Sequence, residues 1–309
     1  MQASTFRSRI WDFIRLTRVV FLFGGFLLYA LGAATAARAG LAILWPAYLL
    51  GQIVVTSIQL SAHYGNEYYD REVDRLAAQN RTWFSGGSGM LATGSLSPST
   101  VRVAAYACVA VALATGILAG IRSPWMFAIV ALSLAGSWFY SAPPLTLMSS
   151  GWGELTTSLI VAVGVPLAGY LMQAGLLPAQ FWPVYLPLLL LHGAMLIAFE
   201  IPDFSVDRSL GKKTLTVRLG PPRAAGLAGG LIVCAYLLLA ILALSPANPG
   251  RWMVWTLPLA IIQMLLLRRA ARAPTRIDHF LLTAGGACLF TLTALLALLG
   301  MLFAGLGLG

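Results

Sequence analysis

Long apolar runs recur along the whole chain, and they predict its fold class. A run of about 18 or more apolar residues is long enough to cross the hydrocarbon core of a bilayer as a helix. The predicted spans are residues 19–37, 42–70, 99–120, 124–140, 153–173, 180–200, 223–245, 251–268 and 280–304. The pattern therefore predicts an all-α, polytopic membrane protein with about nine transmembrane helices in a single domain, residues 1–309.

Composition supports the same class. Of the 309 residues, 59% are hydrophobic and only 10% are charged, and the mean hydropathy is +0.83. A soluble domain needs far more charge to cover its surface. The net charge of +10 would also suit a nucleic-acid-binding protein, but the basic residues lie in short connections between apolar runs. We therefore attribute them to membrane topology and expect no nucleic-acid partner.

The distribution of basic residues predicts an orientation. Residues 1–18 form a basic, interfacial N-terminal segment, and we expect no removable signal peptide there. Most other Lys and Arg residues fall on the same side of the membrane as this segment, and the opposite side receives Arg38, Arg122 and Arg251. Because basic loops stay in the cytoplasm, we expect the N-terminus and the long loops 75–98 and 201–222 to be cytoplasmic. The C-terminus would lie outside, and the membrane would be a prokaryotic cytoplasmic membrane.

Seven of the ten carboxylates fall in two short windows, each at the end of a predicted span. Each window places three polar side chains at helical spacing on one face. They are Asn66, Asp70 and Asp74 in the first window, and Glu200, Asp203 and Asp207 in the second. Like charges one turn apart repel each other unless a cation lies between them, and acidic groups at a membrane-helix end indicate a functional site.

Hard oxygen ligands of this kind suit Mg²⁺, which commonly bridges to a phosphate-bearing substrate. The predicted metal ligands are Asn66, Asp70, Asp74, Asp203 and Asp207, and the four aspartates are also the predicted catalytic residues. An anionic diphosphate needs cationic partners nearby. The predicted diphosphate-binding residues are Arg71, Arg75, Arg81, Arg208, Lys212 and Lys213.

These motifs resemble those of the UbiA superfamily of intramembrane prenyltransferases. Residues 66–74 match the first aspartate-rich motif of that family, and residues 203–207 followed by 211–220 are similar to the second. Residues 140–144 and 151–155 look like the middle region of the family. The resemblance implies spans arranged around a central cavity, two Mg²⁺ ions that hold a prenyl diphosphate, and transfer of the prenyl group to an acceptor.

The resemblance also bears on the acceptor. Glu154, Gln173 and Gly175 resemble the 1,4-dihydroxy-2-naphthoate branch, whereas residues 201–203 are more similar to homogentisate enzymes. Pro144 stands where hydroxybenzoate enzymes carry a lysine. The expected acceptor is therefore an aromatic quinone precursor, with 1,4-dihydroxy-2-naphthoate as the first candidate and homogentisate as the second.

A polar stripe on the second span, formed by Gln52, Gln59, Asn66 and, slightly to one side, His63, predicts part of the acceptor pocket. Polar groups within a bilayer face protein or a cavity rather than lipid, so the stripe either contacts the acceptor or forms hydrogen bonds between helices. The predicted acceptor-pocket residues are Gln59, His63, Tyr140, Glu154 and Glu200. The rings of Tyr68, Tyr69 and Tyr140 are candidates to stabilise an allylic cation through their faces.

Three other interpretations remain at this point. A cyclase of the same superfamily would ionise a diphosphate without using an acceptor. An ion-coupled transporter would bind its cation through carboxylates, but such sites usually lie near the bilayer midplane rather than at helix ends. Finally, the acidic helix ends could be solvated and neutralised by neighbouring arginines. The oligomeric state is not predicted.

Overall fold

A computed structural model describes residues 6–76, 87–178, 182–245, 248–272 and 275–305. These residues form helices and connecting turns, with no β-strand among them. Seven of the helical stretches in this part of the chain are long and apolar enough to cross a membrane. The all-α, polytopic membrane class is thereby confirmed.

Fifteen α-helices are described. They are α1 Phe6–Thr17, α2 Val19–Arg38, α3 Trp45–Tyr69, α4 Arg71–Leu76, α5 Pro98–Arg122, α6 Trp125–Trp138, α7 Leu147–Ser150, α8 Gly153–Leu159, α9 Val165–Ala174, α10 Trp182–Glu200, α11 Phe204–Ser209, α12 Leu215–Leu219, α13 Pro221–Ala243, α14 Leu257–Ala270 and α15 Arg276–Gly305. A π-helical turn, Ile160–Gly164, joins α8 to α9, and 3₁₀ turns at Ile201–Asp203 and Pro249–Thr256 precede α11 and α14.

Each of the nine predicted spans coincides with a helical stretch, and the ends agree within four residues. Two of these stretches are not among the seven candidate spans of the described chain. Helix α3 is 25 residues long but carries the polar stripe, and α6 has only 14 residues. At about 1.5 Å per residue, α6 rises about 21 Å, which is shorter than a hydrocarbon core of about 30 Å. The number nine therefore stays a prediction.

The apolar interior enclosed by the helices has two large parts and a smaller third cluster around Leu16 and Val101. In one part α10 packs along α13 and α15, around buried residues such as Leu188 and Leu239. In the other part α3 packs along α5, and α2 along α9, around Tyr29 and Leu171. Large apolar side chains also cover the outside of the bundle, where Ile121 is 77% exposed. An apolar outer surface of this extent suits lipid rather than water.

Helices α2 and α9 approach each other closely at a glycine. A Cβ atom built on Gly32 would lie 2.6 Å from the backbone carbonyl carbon of Pro166. Only a residue without a side chain fits such a contact, as at other close crossings of membrane helices. This contact brings α9 against the helix that begins beside the acidic windows.

Polar residues at helix ends mark where several helices start. Ser97 accepts a hydrogen bond from the Thr100 amide at the start of α5, at 3.2 Å. At the start of α15, Asp278 Oδ2 accepts from the Thr275 amide (2.8 Å) and Thr275 Oγ1 accepts from the Asp278 amide (3.2 Å). This reciprocal pair satisfies amides that have no partner within the helix.

Candidate active site

The two acidic windows meet in one cavity at one end of the bundle. The lining comes from the C-terminal ends of α3 and α10, the residue before α2, the segments that follow α3, α6 and α10, and the loop after α11. The lining residues are Arg18, His63, Asn66, Glu67, Asp70, Val73, Asp74, Gly87, Tyr140, Met148, Leu196, Phe199, Glu200, Asp203, Asp207, Lys212 and Thr214. All five predicted metal ligands are among them, although the windows lie more than 130 residues apart in sequence.

The first window is held by a serine from the segment after α6. The Ser141 hydroxyl lies 2.5 Å from Asp70 Oδ2 and 3.1 Å from Asn66 Oδ1. Asp70 follows the last residue of α3, where burial raises the pKa of its carboxyl group. The Ser141 hydrogen bond and the charge of Lys212 lower this pKa, while the nearby Asp207 carboxylate raises it. Charges from both windows therefore act on Asp70.

In the second window the two aspartates have different surroundings. Asp207 is buried and forms an ion pair with Lys212, with 3.0 Å between Oδ1 and Nζ. Asp203 Oδ1 is also buried, but it has no hydrogen-bond partner among the described residues. A buried carboxylate oxygen without a partner is energetically costly, and such a group indicates a binding function.

Glu67 lines the cavity and anchors the chain that follows the first window. Its Oε2 accepts from the Ser88 amide (2.8 Å), and its Oε1 accepts from the Ser88 hydroxyl (2.7 Å). Glu67 lies within the first window but is not among the predicted site residues. Its partner lies 21 residues further along the chain, so helical spacing gave no signal of this contact.

Among the residues that the structure describes, the cationic side chains that line the cavity are those of Lys212 and Arg18. Arg18 was predicted only as part of the basic N-terminal segment. It stands between α1 and α2 in a left-handed conformation (φ 51°), and its guanidinium lies 4.3 Å from the centre of the Phe21 ring. This backbone turn directs the chain from α1 into α2 at the cavity. A single sequence offers little warning of a left-handed arginine.

The other predicted diphosphate-binding residues are absent from the described lining. Arg71 bonds to the Tyr68 carbonyl oxygen at 2.8 Å and lies over the Tyr68 ring. Arg75 pairs with Glu72 at 3.3 Å on the surface. Lys213 is exposed, and the guanidinium of Arg208 lies 5.9 Å from the centre of the Phe204 ring. Arg81 falls outside the described residues.

Three of the five predicted acceptor-pocket residues line the cavity: His63, Tyr140 and Glu200. Gln59 and Glu154 are absent from the described lining because each is engaged elsewhere. The Gln59 amide donates to the Phe21 carbonyl oxygen at 2.7 Å, a bond between α3 and α2. Glu154 Oε1 accepts from the Leu215 amide at 2.7 Å.

Of the three tyrosines considered for cation stabilisation, only Tyr140 belongs to the described lining. The Tyr68 ring faces the guanidinium groups of Arg71 and Arg102, at 5.0 and 5.6 Å. Tyr69 packs edge-on against Trp138. Tyr68 and Tyr69 precede Asp70 by two positions and one position, so their side chains leave the helix in other directions and their rings contact neighbouring side chains outside the cavity.

Apolar helices with acidic ends that meet in one cavity define this molecule as a polytopic membrane protein with a polar site at one end of the bundle. The model of the UbiA prenyltransferase family matches residues 26–282. The chain therefore belongs to the UbiA prenyltransferase family.

Curated relatives and solved structures agree with this family. The 1,4-dihydroxy-2-naphthoate octaprenyltransferase of Mycobacterium tuberculosis is 29% identical over 69% of this chain and 72% of its own length. The Bacillus subtilis enzyme of the same name is 24% identical over 64% of this chain, and the match spans 63% of its length, less than two thirds. A UbiA homolog from Archaeoglobus fulgidus, solved bound to GPP and Mg²⁺, superposes with a TM-score of 0.60 at 20% identity, over 92% of this chain and 99% of that chain.

Proposed function

We propose that this enzyme transfers a polyprenyl group from its diphosphate to an aromatic quinone precursor in a Mg²⁺-dependent reaction, with 1,4-dihydroxy-2-naphthoate as the acceptor. Homogentisate is the second candidate. The names of the two bacterial relatives support the first acceptor. The GPP and Mg²⁺ in the Archaeoglobus fulgidus structure support the diphosphate substrate and the metal.

The observation that carries this proposal is the convergence of both acidic windows and two cations on one cavity. Asp70 and Asp74 face it from one side and Asp203 and Asp207 from the other, with Lys212 at Asp207. A cavity with both signs of charge suits a metal–diphosphate complex, in which carboxylates bind the cation and cationic side chains bind the anion.

The residues present fit Mg²⁺. Asp203 Oδ1 is a buried oxygen that lacks a partner in the described chain, and the lining offers oxygen donors from both windows. Among the described residues, no group of three or more His, Cys, Asp or Glu side chains is close enough together to hold a metal ion by itself. Mg²⁺ does not require such a cage, because it keeps several waters and binds substrate phosphates. We assign Asn66, Asp70, Asp74, Asp203 and Asp207 as its ligands, and the two windows suit two ions.

When bound, Mg²⁺ would neutralise the diphosphate as the allylic C–O bond breaks. Lys212 and Arg18 would bind the same anion from the protein side. The ring of Tyr140 would face the allylic cation, and apolar lining residues such as Phe199 and Leu196 would exclude water from it. His63 and Glu200 would orient the acceptor ring through hydrogen bonds, because a small misplacement of the nucleophilic carbon slows transfer strongly.

Product analysis tests the proposal. Purified protein is incubated with Mg²⁺, geranylgeranyl diphosphate and a panel of aromatic acids, and the lipid extract is examined by mass spectrometry. We expect a prenylated product of 1,4-dihydroxy-2-naphthoate that disappears when Mg²⁺ is chelated. A hydrocarbon formed without any acceptor would show that the protein is a cyclase instead. Flux of a cation into sealed vesicles without any prenylated product would show that it is a transporter instead.

A further inference from the structure

The segment between α6 and α8 touches both halves of the cavity. This middle segment, residues 139–152, folds back on itself through bonds from the Leu147 amide to the Phe139 carbonyl (2.9 Å) and from the Met148 amide to the Tyr140 carbonyl (2.9 Å). Its first part holds the first window through Ser141, as described above. Its second part contacts the loop that carries Lys212.

That loop is the α12 loop, residues 210–220. It donates hydrogen bonds to backbone carbonyl oxygens of the middle segment. The Lys213 amide donates to the Ser149 carbonyl at 2.8 Å, and Arg218 Nη2 donates to the Ser150 carbonyl at 2.5 Å. Arg218 Nε also donates to the Lys213 carbonyl oxygen at 3.0 Å, which ties the start of the loop to α12. The position of Lys212 therefore depends on the middle segment.

Two glutamates, the buried Glu154 and the partly buried Glu200, complete this attachment. Glu154 Oε1 accepts from the Leu215 amide at 2.7 Å, and Glu200 Oε2 accepts from the Thr216 amide at 3.2 Å. Glu154 is only 6% exposed, and its carboxyl group adjoins that of Glu200. Amides in the first turn of a helix have no partner within that helix, so the two carboxyl groups satisfy donors of α12 that burial would otherwise leave unpaired.

A glycine supplies independent support for this close contact. Gly151 has φ +77°, and a Cβ atom built there would lie 2.8 Å from the Lys213 carbonyl oxygen and 2.9 Å from Arg218 Nε. Left-handed backbone and the absence of a side chain are both needed at this point. The docking of the α12 loop on the middle segment is thus a tight contact of two backbones.

We propose that Glu154 is a positioning residue, which fixes the α12 loop so that Lys212 and Asp207 face the diphosphate site, and that it does not contact the acceptor. This assignment rests on the proposed function for the identity of the bound anion. The contact geometry supports it, because the Glu154 oxygen that accepts from Leu215 points to the loop and the residue is absent from the described cavity lining.

Hydrogen exchange tests the docking without any substrate. We expect Glu154→Ala to increase exchange at the amides of residues 215–219 by about tenfold, the effect of losing about one hydrogen bond. Glu154→Gln should remain near wild type, because its side-chain carbonyl accepts from Leu215 while its NH₂ donates to Glu200. Asp278→Ala is the matched control, since it removes another buried carboxylate that accepts a backbone amide, on α15 away from the cavity.

Steady-state kinetics then separate positioning from acceptor binding. Glu154→Ala should raise KM for the prenyl diphosphate about tenfold and leave KM for the aromatic acceptor unchanged, and Glu154→Gln should restore the wild-type KM.

Unchanged exchange at residues 215–219 would overturn the proposal, as would a raised acceptor KM that Gln does not rescue. If Glu154→Ala fails to fold, Gly151→Ala disturbs the same contact and must give the same exchange pattern. Absence of any prenyl transfer by the wild type would refute the proposed function, while exchange still decides whether Glu154 docks the loop.

Discussion

The two aspartates of the second window carry the same carboxylate group but lie in different surroundings. Asp207 already has a cationic partner in Lys212, whereas Asp203 Oδ1 is buried without one in the described chain. Removing charge from Asp203 therefore relieves an unfavourable burial in the metal-free protein. Removing it from Asp207 leaves the Lys212 ammonium, whose side chain is only 11% exposed, without its anionic partner, which is destabilising.

We expect Asp203→Asn and Asp70→Asn each to reduce turnover by about 100-fold or more, because each removes a proposed metal charge at constant volume. Expression and thermal unfolding in detergent should stay near wild type. Asp278→Asn, remote from the cavity, serves as the control for loss of a buried carboxylate. Wild-type rates in either site variant at saturating substrate would contradict the metal assignment.

Glu67 permits a prediction about stability rather than chemistry. Glu67→Ala leaves the Ser88 amide without its acceptor, so the free energy of unfolding should fall by about 1–3 kcal/mol. Glu72→Ala in the same window is the matched control, because its pair with Arg75 is exposed on both sides and contributes less than about 1 kcal/mol. Equal melting temperatures for the two variants would show that the Ser88 contact does not stabilise the fold.

The sequence predicted the residues that depend on local spacing and missed those that depend on tertiary contact. Asp70 and Asp74 repeat at helical spacing, so their common face was predictable. Arg18 belongs to the site through a left-handed turn, and Glu67 contacts Ser88, which lies 21 residues further along the chain. Nearness in sequence also misled: Arg75 lies one residue from Asp74, yet its side chain pairs on the surface.

At the scale of helices, close packing of α2 on α9 leads to a direct test. Gly32→Ala places a methyl group against the Pro166 backbone, which cannot move like a side chain, so we expect a loss of about 1–3 kcal/mol in stability. Gly24→Ala on the same helix is the control, since a Cβ there meets nothing within 4 Å. Thermal unfolding in detergent measures both, and equal stability of the two variants would argue against this contact.

Helix positions were more predictable than helix types. Apolar length located every described span within four residues, because the bilayer sets that length. The π-helical turn at Ile160–Gly164 and the 3₁₀ start of α14 were not predicted, since both depend on hydrogen-bond registers that apolar composition does not encode. The short helices α7 and α12 were also not predicted. Contacts between the middle segment, which contains α7, and the α12 loop determine where these helices begin and end.

At the scale of the whole molecule, the positive charge bias predicts that the cavity opens to the cytoplasm. In a background without Cys108, Cys234 and Cys288, Ser209→Cys and Ser99→Cys should resist a membrane-impermeant thiol reagent added to intact cells. Ala39→Cys, in the turn between α2 and α3 at the other end, should react. The reverse labelling pattern would invert the assigned orientation.

The apolar outer surface described for the bundle has a consequence for how the reaction must be measured. An isoprenoid diphosphate dissolves in the same lipid that surrounds the helices, so the concentration the enzyme experiences is a mole fraction in two dimensions, not a molarity. On the proposed function, adding inert phospholipid at constant total substrate should slow the enzyme in proportion to the dilution. Diluting the whole suspension with buffer that holds Mg²⁺ and the aromatic acceptor at constant concentration should leave the rate per enzyme unchanged. Proteoliposomes of increasing lipid-to-substrate ratio provide the comparison, and a rate that follows bulk concentration instead would mean that the tail enters from water.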